Sequence, residues 1–289
     1  MSPAPYVVIT PARDEAQFIE RTVRCMAAQT HRPLQWIVVN DGSTDETGAI
    51  LDRLADEFDW LVVVHRDDRG FRAAGGGVMD AFYAGYQALT EDAWEFVVKL
   101  DGDLTFEPDY FAGCLAHFER DPRLGIGGGV IYNRIDGELV LEKHPRFHVR
   151  GATKIYRLAC WRDIGDLIRA PGWDTMDEVK ANQMGWVTRS FDAPSLVQER
   201  FTGAAAGQWS NWLKNGRASY ITGYHPLFLL AKAGKRAFRR PYLKASAGLL
   251  AGFFGAAIRR TPQIPDRELI RFTRREQLRR LVGLRSMWR

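Results

Sequence analysis

Asp101 and Asp103 stand one residue apart in FVVKLDGDLTFEPDY, residues 96–110. Two carboxylates this close, with Gly102 letting the backbone turn between them, are hard oxygen donors suited to Mg²⁺ or Mn²⁺. The same pair can also end a strand as a solvated, idle acidic turn, and Asp-x-Asp alone does not separate the two. Phe96, Val97, Val98 and Leu100, interrupted by Lys99, form the apolar run of a strand covered on both faces of a parallel sheet. Ligands of such sheets collect just beyond the carboxyl ends of the strands, where this pair falls.

The preceding chain supplies the elements such a site needs. Tyr6–Thr10 reads as a strand ending at Pro11, and residues 14–29 as a helix with Phe18, Ile19, Val23, Met26 and Ala27 at helical spacing. Residues 34–39 are a second buried strand running into Asn40-Asp41-Gly42-Ser43-Thr44-Asp45-Glu46. That is a turn and a helix start, with Ser43 or Thr44 as the cap. A helix over 47–58 and a strand over 60–64 follow, and this alternation predicts βαβ units and a mainly parallel sheet. The loop HRDDRGFRAAGGG then opens a helix over 78–89. Its glycines suit a phosphate cradle, but their spacing is no standard fingerprint and a plain turn is the simpler reading. The first strand ends in Thr10-Pro11-Ala12-Arg13 without a glycine motif, which excludes a dinucleotide-binding Rossmann fingerprint. Residues 125–132 read as a glycine-rich strand with close backbone contacts.

A chain of 289 residues with 46% apolar and 26% charged residues suits a soluble globular protein of one sizeable domain or a domain plus an appendage. Cys25, Cys114 and Cys160 are widely spaced, which fits a reducing cytosol and argues against structural zinc. The first residues carry no secretory pattern. The net charge of +5 conceals an asymmetry: residues 231–289 hold 16 Lys and Arg against 3 Asp and Glu, and the remainder holds 24 against 32. An acidic body with a basic tail points to an anionic membrane surface. The tail has no nucleic-acid-binding motif, so nucleic acid is not the expected partner.

TPARDEAQFIERTV, IVVNDGSTDET and VVKLDGD, in this order and spacing, resemble the nucleotide-binding half of family 2 glycosyltransferases, inverting enzymes of GT-A fold; the likeness covers roughly residues 5–190. The resemblance implies a Rossmann-like α/β fold with a mixed, mainly parallel sheet, flanking helices and, in this chain, a carboxyl-terminal helical extension. It implies that Thr10, Pro11 and Ala12, with Glu15, line the base and ribose pocket and that Asp41 hydrogen-bonds the base. Arg72 would approach the ribose or pyrophosphate. Lys99, Asp101 and Gly102 would serve the nucleotide, and Asp103 would bind Mn²⁺ or Mg²⁺ at the diphosphate. The donor implied is a nucleoside diphosphate sugar, with UDP favoured.

Inverting transfer needs a carboxylate to take the acceptor's proton. Family members supply it from a Glu-Asp pair about eleven residues before a Gly-aromatic pair; counting back from Gly185-Trp186 reaches Asp174, with Trp173 in place of the Glu. Asp174 is the favoured base, with Asp177 and Glu178 as rivals. All three also suit the first turns of a helix as charges alone. His225 matches the place of a late metal or phosphate ligand in some GT-A enzymes. His144 and His148 read as surface or structural residues, Trp161 as core, and residues 151–157 as a segment passing beneath the donor sugar. The Gln-x-x-Arg-Trp signature of processive polymerases is not found after this point, which implies addition of a single sugar.

Residues 245–258 are uncharged but shorter than the about 20 residues a spanning helix needs. From Asp266 onward Ile270, Leu278, Leu281, Leu284 and Trp288 recur among arginines, as in a cationic helix lying on a membrane. Packing on the enzyme body or a homodimer contact are the alternatives. The expected organisation is a catalytic domain over 1–225 and a basic extension over 226–289, cytoplasmic and peripheral at the inner face of the cell membrane. The acceptor expected is a saccharide or polyprenyl-linked saccharide. Two other classes compete: a silent membrane-docking scaffold of the same fold, and a nucleotidyltransferase, which would need a Gly-rich basic loop after the first strand.

Overall fold

The computed structural model describes residues 4–68, 70, 76–135, 137–200, 208–238 and 242–288. The amino-terminal half alternates strand and helix: β1 (Tyr6–Ala12), α1 (Ile19–Ala27), β2 (Gln35–Asp41), α2 (Thr47–Glu57), β3 (Leu61–Arg66), α3 (Gly76–Gln87) and β4 (Phe96–Leu100). There follow β5 (Leu104–Phe106), α4 (Tyr110–Arg120), β6 (Leu124–Ile135), β7 (Glu138–Leu141), β8 (Thr153–Arg157), α5 (Leu158–Ile164), α6 (Trp173–Gln183) and β9 (Val187–Gln198). Four helices close the chain: α7 (Gln208–Ile221), α8 (Pro226–Ala237), α9 (Tyr242–Ile258) and α10 (Arg267–Leu281).

The strands form one mixed sheet in the order β3-β2-β1-β4-β8-β6-β9-β5, with β7 paired to β6. The expected parallel unit is β3-β2-β1-β4; β8 is antiparallel to both β4 and β6, and β6 runs parallel to β9. Every residue of β2 and β4 is buried, Lys99 included, as strands covered on two faces require. Ile19, Val23 and Met26 put one stripe of α1 into the core on one side of the sheet, while Met79 and Phe82 of α3 fill the other.

Several boundaries differ from the sequence reading. β1 continues through Pro11 to Ala12, because its neighbours leave the proline on a register that needs no N–H from it. The cap of α2 is neither Ser43 nor Thr44: the helix begins after Glu46, and Asp45 Oδ1 accepts the Thr47 N–H at 3.0 Å. The terminal helix stops at Leu281, beyond which Gly283 takes a positive φ of 77°. Trp288 is therefore not on that helix; its ring folds back onto Phe147, Tyr224 and Phe228.

The basic tail is packed to a large extent on the body. Leu269 and Ile270 of α10 join Met176 and Val179 of α6 in one apolar cluster. The uncharged run of α9 lies against α7 so closely that a Cβ on Gly252 would come within 2.1 Å of the Leu213 carbonyl oxygen. Thus α7, which precedes residue 225, is the packing partner of α9, which follows it. Among the described residues no helix is long and apolar enough to cross a membrane.

Candidate functional site

The sheet order reverses between β1 and β4, so that the crossovers from β1 run in opposite directions and leave a crevice at the carboxyl ends of the strands. Thr10, Pro11 and Ala12 end β1 there, Asp41 ends β2, and Asp101-Gly102-Asp103 follow β4. Gly102 is the joint of this corner. A Cβ at that position would meet Ile19 Cδ1 at 2.9 Å, Glu15 Cγ at 3.6 Å and Thr10 Cγ2 at 3.8 Å, so a larger residue there would require the Ile19 side chain to shift.

The partners of these residues define their roles. Thr10 Oγ1 accepts the Trp36 indole N–H at 2.9 Å, a core contact that leaves its backbone to face the crevice. Arg13 donates to the Asp41 carbonyl at 2.9 Å and to Asp68 at 2.6 Å, while Arg66 donates to Asp41 Oδ1 at 2.9 Å. Glu15 donates its N–H to Thr47 Oγ1 and pairs with Arg200 at 2.8 Å. Arg72 lies outside the described residues.

Asp103 is buried and faces Gln198, whose Nε2 donates to both of its oxygens at 3.2 and 3.4 Å. Burial, then the neighbouring Asp101 carboxylate, push the Asp103 pKa up to about 6, against the pull of Gln198, Arg200 and Lys99. A buried carboxylate whose hydrogen-bonding partner is a neutral amide is short of positive charge. The Gln198 Oε1 beside it is itself a buried acceptor without a hydrogen-bond partner. Hard oxygen donors in that condition fit a divalent cation. Among the described residues no three His, Cys, Asp or Glu side chains gather into a metal cluster. The remaining ligands of such an ion would be phosphate oxygens or water, as is usual for Mg²⁺ at diphosphates. His225 does not join the group. Its Nδ1 accepts the Leu227 N–H at 3.2 Å and caps α8, and its own N–H is donated to Gln277.

Lys99 links the acidic turn to the next part of the site. Its ammonium pairs with Asp101 and lies 5.7 Å from the centre of the Trp173 ring, and Lys154 Nζ lies 5.5 Å from the same centre. Trp173 thus occupies the place expected of a Glu and serves as an aromatic shelf for two cations.

Asp174 opens the first turn of α6, after Gly172 in the left-handed conformation at φ 91°. Its side chain stays 25% exposed, 3.9 Å from Arg150 Nη1, and a Cβ on Gly151 would approach Asp174 Cβ to 3.1 Å. Residues 150–154 therefore pass directly by the candidate base. Burial pushes the Asp174 pKa up, but His148, Lys154, Arg150 and Lys99 together outweigh it and hold the carboxyl below its ordinary range.

Asp177 and Glu178, the rival carboxylates, are spent on partners inside the protein. Both side chains are fully enclosed. Asp177 binds Lys154 Nζ through both oxygens at 2.8 Å and accepts the Tyr156 hydroxyl at 2.6 Å. Glu178 takes His148 Nδ1 at 2.9 Å and the Val149 N–H at 2.6 Å. His148, read as a surface or structural residue, pairs with Glu178 inside the protein: burial pulls its pKa down and the Glu178 carboxylate more than restores it. Lys154 and Gln198 escaped the sequence reading because their partners are 23 and 95 residues away.

The comparisons agree with this geometry. The sequence profile of Glycosyl transferase family 2 matches residues 7–172. The chain is 30% identical over 128 residues to a glucosyl-dolichyl phosphate glucuronosyltransferase of Haloferax volcanii, covering 43% of this chain and 37% of that protein. It is 26% identical over 116 residues to a poly-beta-1,6-N-acetyl-D-glucosamine synthase of Staphylococcus aureus, covering 40% and 26%. The chain thus spans well under half the length of these relatives. In fold it is similar to the mannosyltransferase PcManGT of Pyrobaculum calidifontis, solved with GDP-Man and Mn²⁺, with a TM-score of 0.57 at 18% identity over 99% of this chain and 79% of the other. It is also similar to S. aureus TarS with UDP-GlcNAc, at 0.52 and 15% over 95% and 81%. The fold is GT-A, and the chain belongs to glycosyl transferase family 2.

Proposed function

We propose that this protein is a metal-dependent, inverting glycosyltransferase that moves one sugar from a nucleoside diphosphate sugar to a hydroxyl of a saccharide or lipid-linked acceptor. The observation that carries the reading is the convergence of Thr10–Ala12, Glu15, Asp41 and Asp101-Gly102-Asp103 at the switch point, with Asp174 held ionised beside residues 150–154.

In this reading Asp41 and the end of β1 take the base and ribose. Asp103, with Gln198 beside it, would hold the divalent ion, which when bound supplies Lewis-acid neutralisation of the departing diphosphate. Asp174 accepts the proton of the acceptor hydroxyl as that oxygen attacks C1 from the face opposite the leaving group. The C1–O bond to the β-phosphate breaks, and the configuration at C1 inverts. A carboxyl kept below its ordinary range is fully ionised near neutrality, as a base must be. UDP is the first base to test; GDP, which the Pyrobaculum mannosyltransferase binds, is its rival.

The tail supports peripheral attachment to an anionic membrane, in a cytoplasmic protein. Leu278, Leu281, Val282 and Leu284 remain exposed although Leu269 and Ile270 are buried, and arginines surround them. Co-sedimentation with anionic vesicles, absent with neutral ones, checks this part.

The central test is calorimetric binding of UDP, GDP and dTDP, with and without Mn²⁺, to the wild type and Asp103→Ala. One nucleotide binding only with metal, and lost in the variant, is the expected result. No binding of any nucleotide would replace this reading with a silent scaffold of the same fold.

A further inference from the structure

A cavity of about 570 Å³ lies between the 145–148 segment, α8 and the end of the chain. Its charged lining is Lys232, Lys235, Arg280 and His148, and among the described residues no acidic side chain faces it. Its walls are aromatic, with Phe147, Phe228 and Trp288 prominent. Among the described residues no carboxylate pairs with Lys232, Lys235 or Arg280. Lys232, Lys235 and Arg280 are all solvent-exposed where they line it. The Lys232 ammonium lies 5.7 Å from the centre of the Tyr224 ring, and its protein surroundings followed by the nearby Arg236 lower its pKa. Three cations and no carboxylate on one lining give the cavity a positive potential that favours an anion.

The position of this cavity relates it to the chemistry. A smaller cavity of about 270 Å³ runs from Gly172 and Asp174 to Trp212 and Thr222. The two share Thr175, Tyr224 and Lys232 in their linings, so the cationic space adjoins the side of α6 that carries the candidate base.

We propose that the cationic cavity is a binding site for the phosphate group of the acceptor, with Lys232, Lys235 and Arg280 as its ligands and the aromatic walls receiving the part of the acceptor next to that phosphate. This rests on the glycosyltransferase reading and narrows its acceptor to a phosphate ester. Three mobile cations can follow a tetrahedral phosphate or a diphosphate. Aromatic faces accept either a sugar ring or the first carbons of a lipid chain, so the phosphate can come from a lipid or from a soluble sugar phosphate.

The probes are farnesyl phosphate below its micellar concentration, farnesol, glucose 1-phosphate and inorganic phosphate. Each is titrated calorimetrically into the whole protein without divalent metal, with Trp fluorescence as a second signal because Trp288 lines the cavity. Farnesyl phosphate or glucose 1-phosphate should bind, and the triple variant K232Q/K235Q/R280Q should weaken that binding by on the order of 100-fold, since each ligand is a charge-assisted hydrogen bond. Which of the two binds more tightly identifies the source of the phosphate. Farnesol binding as well as farnesyl phosphate, no binding of any phosphate probe, or equal binding by the triple variant would each overturn the proposal. Mn²⁺-dependent nucleotide binding by the triple variant is measured alongside. If it persists while phosphate binding is absent even in the wild type, the acceptor inference fails alone. If nucleotide binding is absent from the wild type, the glycosyltransferase reading fails instead.

Discussion

Gln198 donates its side-chain amide to both oxygens of Asp103, across the pairing of β9 with β5 that sets Leu104 opposite Gln198. The contact orients a buried carboxylate without neutralising it, which is how a neighbour of a metal ligand works. Gln198→Leu should keep the fold and lower Mn²⁺-dependent nucleotide affinity by about 10- to 100-fold. Calorimetry checks this, and unchanged affinity would remove Gln198 from the site.

Asp174 and Asp177 differ by one turn of helix and should differ in kind when neutralised. Asp174→Asn should lower kcat by about 10²- to 10⁴-fold with nucleotide binding intact, as loss of a general base does. Asp177→Asn should instead lower the melting temperature, with the activity of the folded fraction largely retained. A reversal of these two phenotypes would move the base to Asp177.

The pH profile should respond to His148. Burial raises the Asp174 pKa, and His148, Lys154, Arg150 and Lys99 bring it below the ordinary value. The base works only when ionised, so the rate falls as pH drops through this pKa. His148→Gln removes one of the cations, raises the pKa, and should shift the acid limb of kcat/KM to higher pH. An unmoved limb would mean that another group controls it.

Lys154→Met should be severely destabilising. It leaves Asp177 and Glu178 enclosed without their shared cation, at a cost of about 3–5 kcal/mol. The Asp177 carboxyl, whose pKa burial already raises to about 6 against the pull of Lys154, would then hold its proton still more tightly in the folded than in the unfolded chain. With more protons bound in the folded state, stability falls as pH rises. The loss in urea denaturation should therefore be larger at pH 8 than at pH 5.

Gly252→Val tests the helical unit. The Cβ would fall 2.1 Å from the Leu213 carbonyl oxygen and 3.0 Å from the Arg217 nitrogen. Both are backbone atoms, so α7 and α9 must separate, with an expected loss of about 1–3 kcal/mol or more. Thermal denaturation of the variant reads this directly.

Much of this protein was written locally. The apolar runs of β1, β2 and β4, the glycine between Asp101 and Asp103, and the helical stripe of Ile19, Val23 and Met26 are short-range patterns, and each maps to one element. The acidic turn, the Asn-Asp-Gly-Ser stretch and Asp174 stand where the sequence placed them, because each sits at a strand end or helix start, where the backbone alone fixes direction. Tertiary structure decided which charges are spent on one another. Asp174, Asp177 and Glu178 look alike in sequence, yet Lys154 and Tyr156 of β8 enclose Asp177, and Lys154 with His148 encloses Glu178, while the first turn of α6 leaves Asp174 partly open. His225 was claimed by a helix cap, and the hydrophobic side of α10 was divided between the body and the surface. Burial and pairing are contacts between residues distant in the chain, and the free energy of a buried charge depends on those contacts rather than on its sequence neighbours.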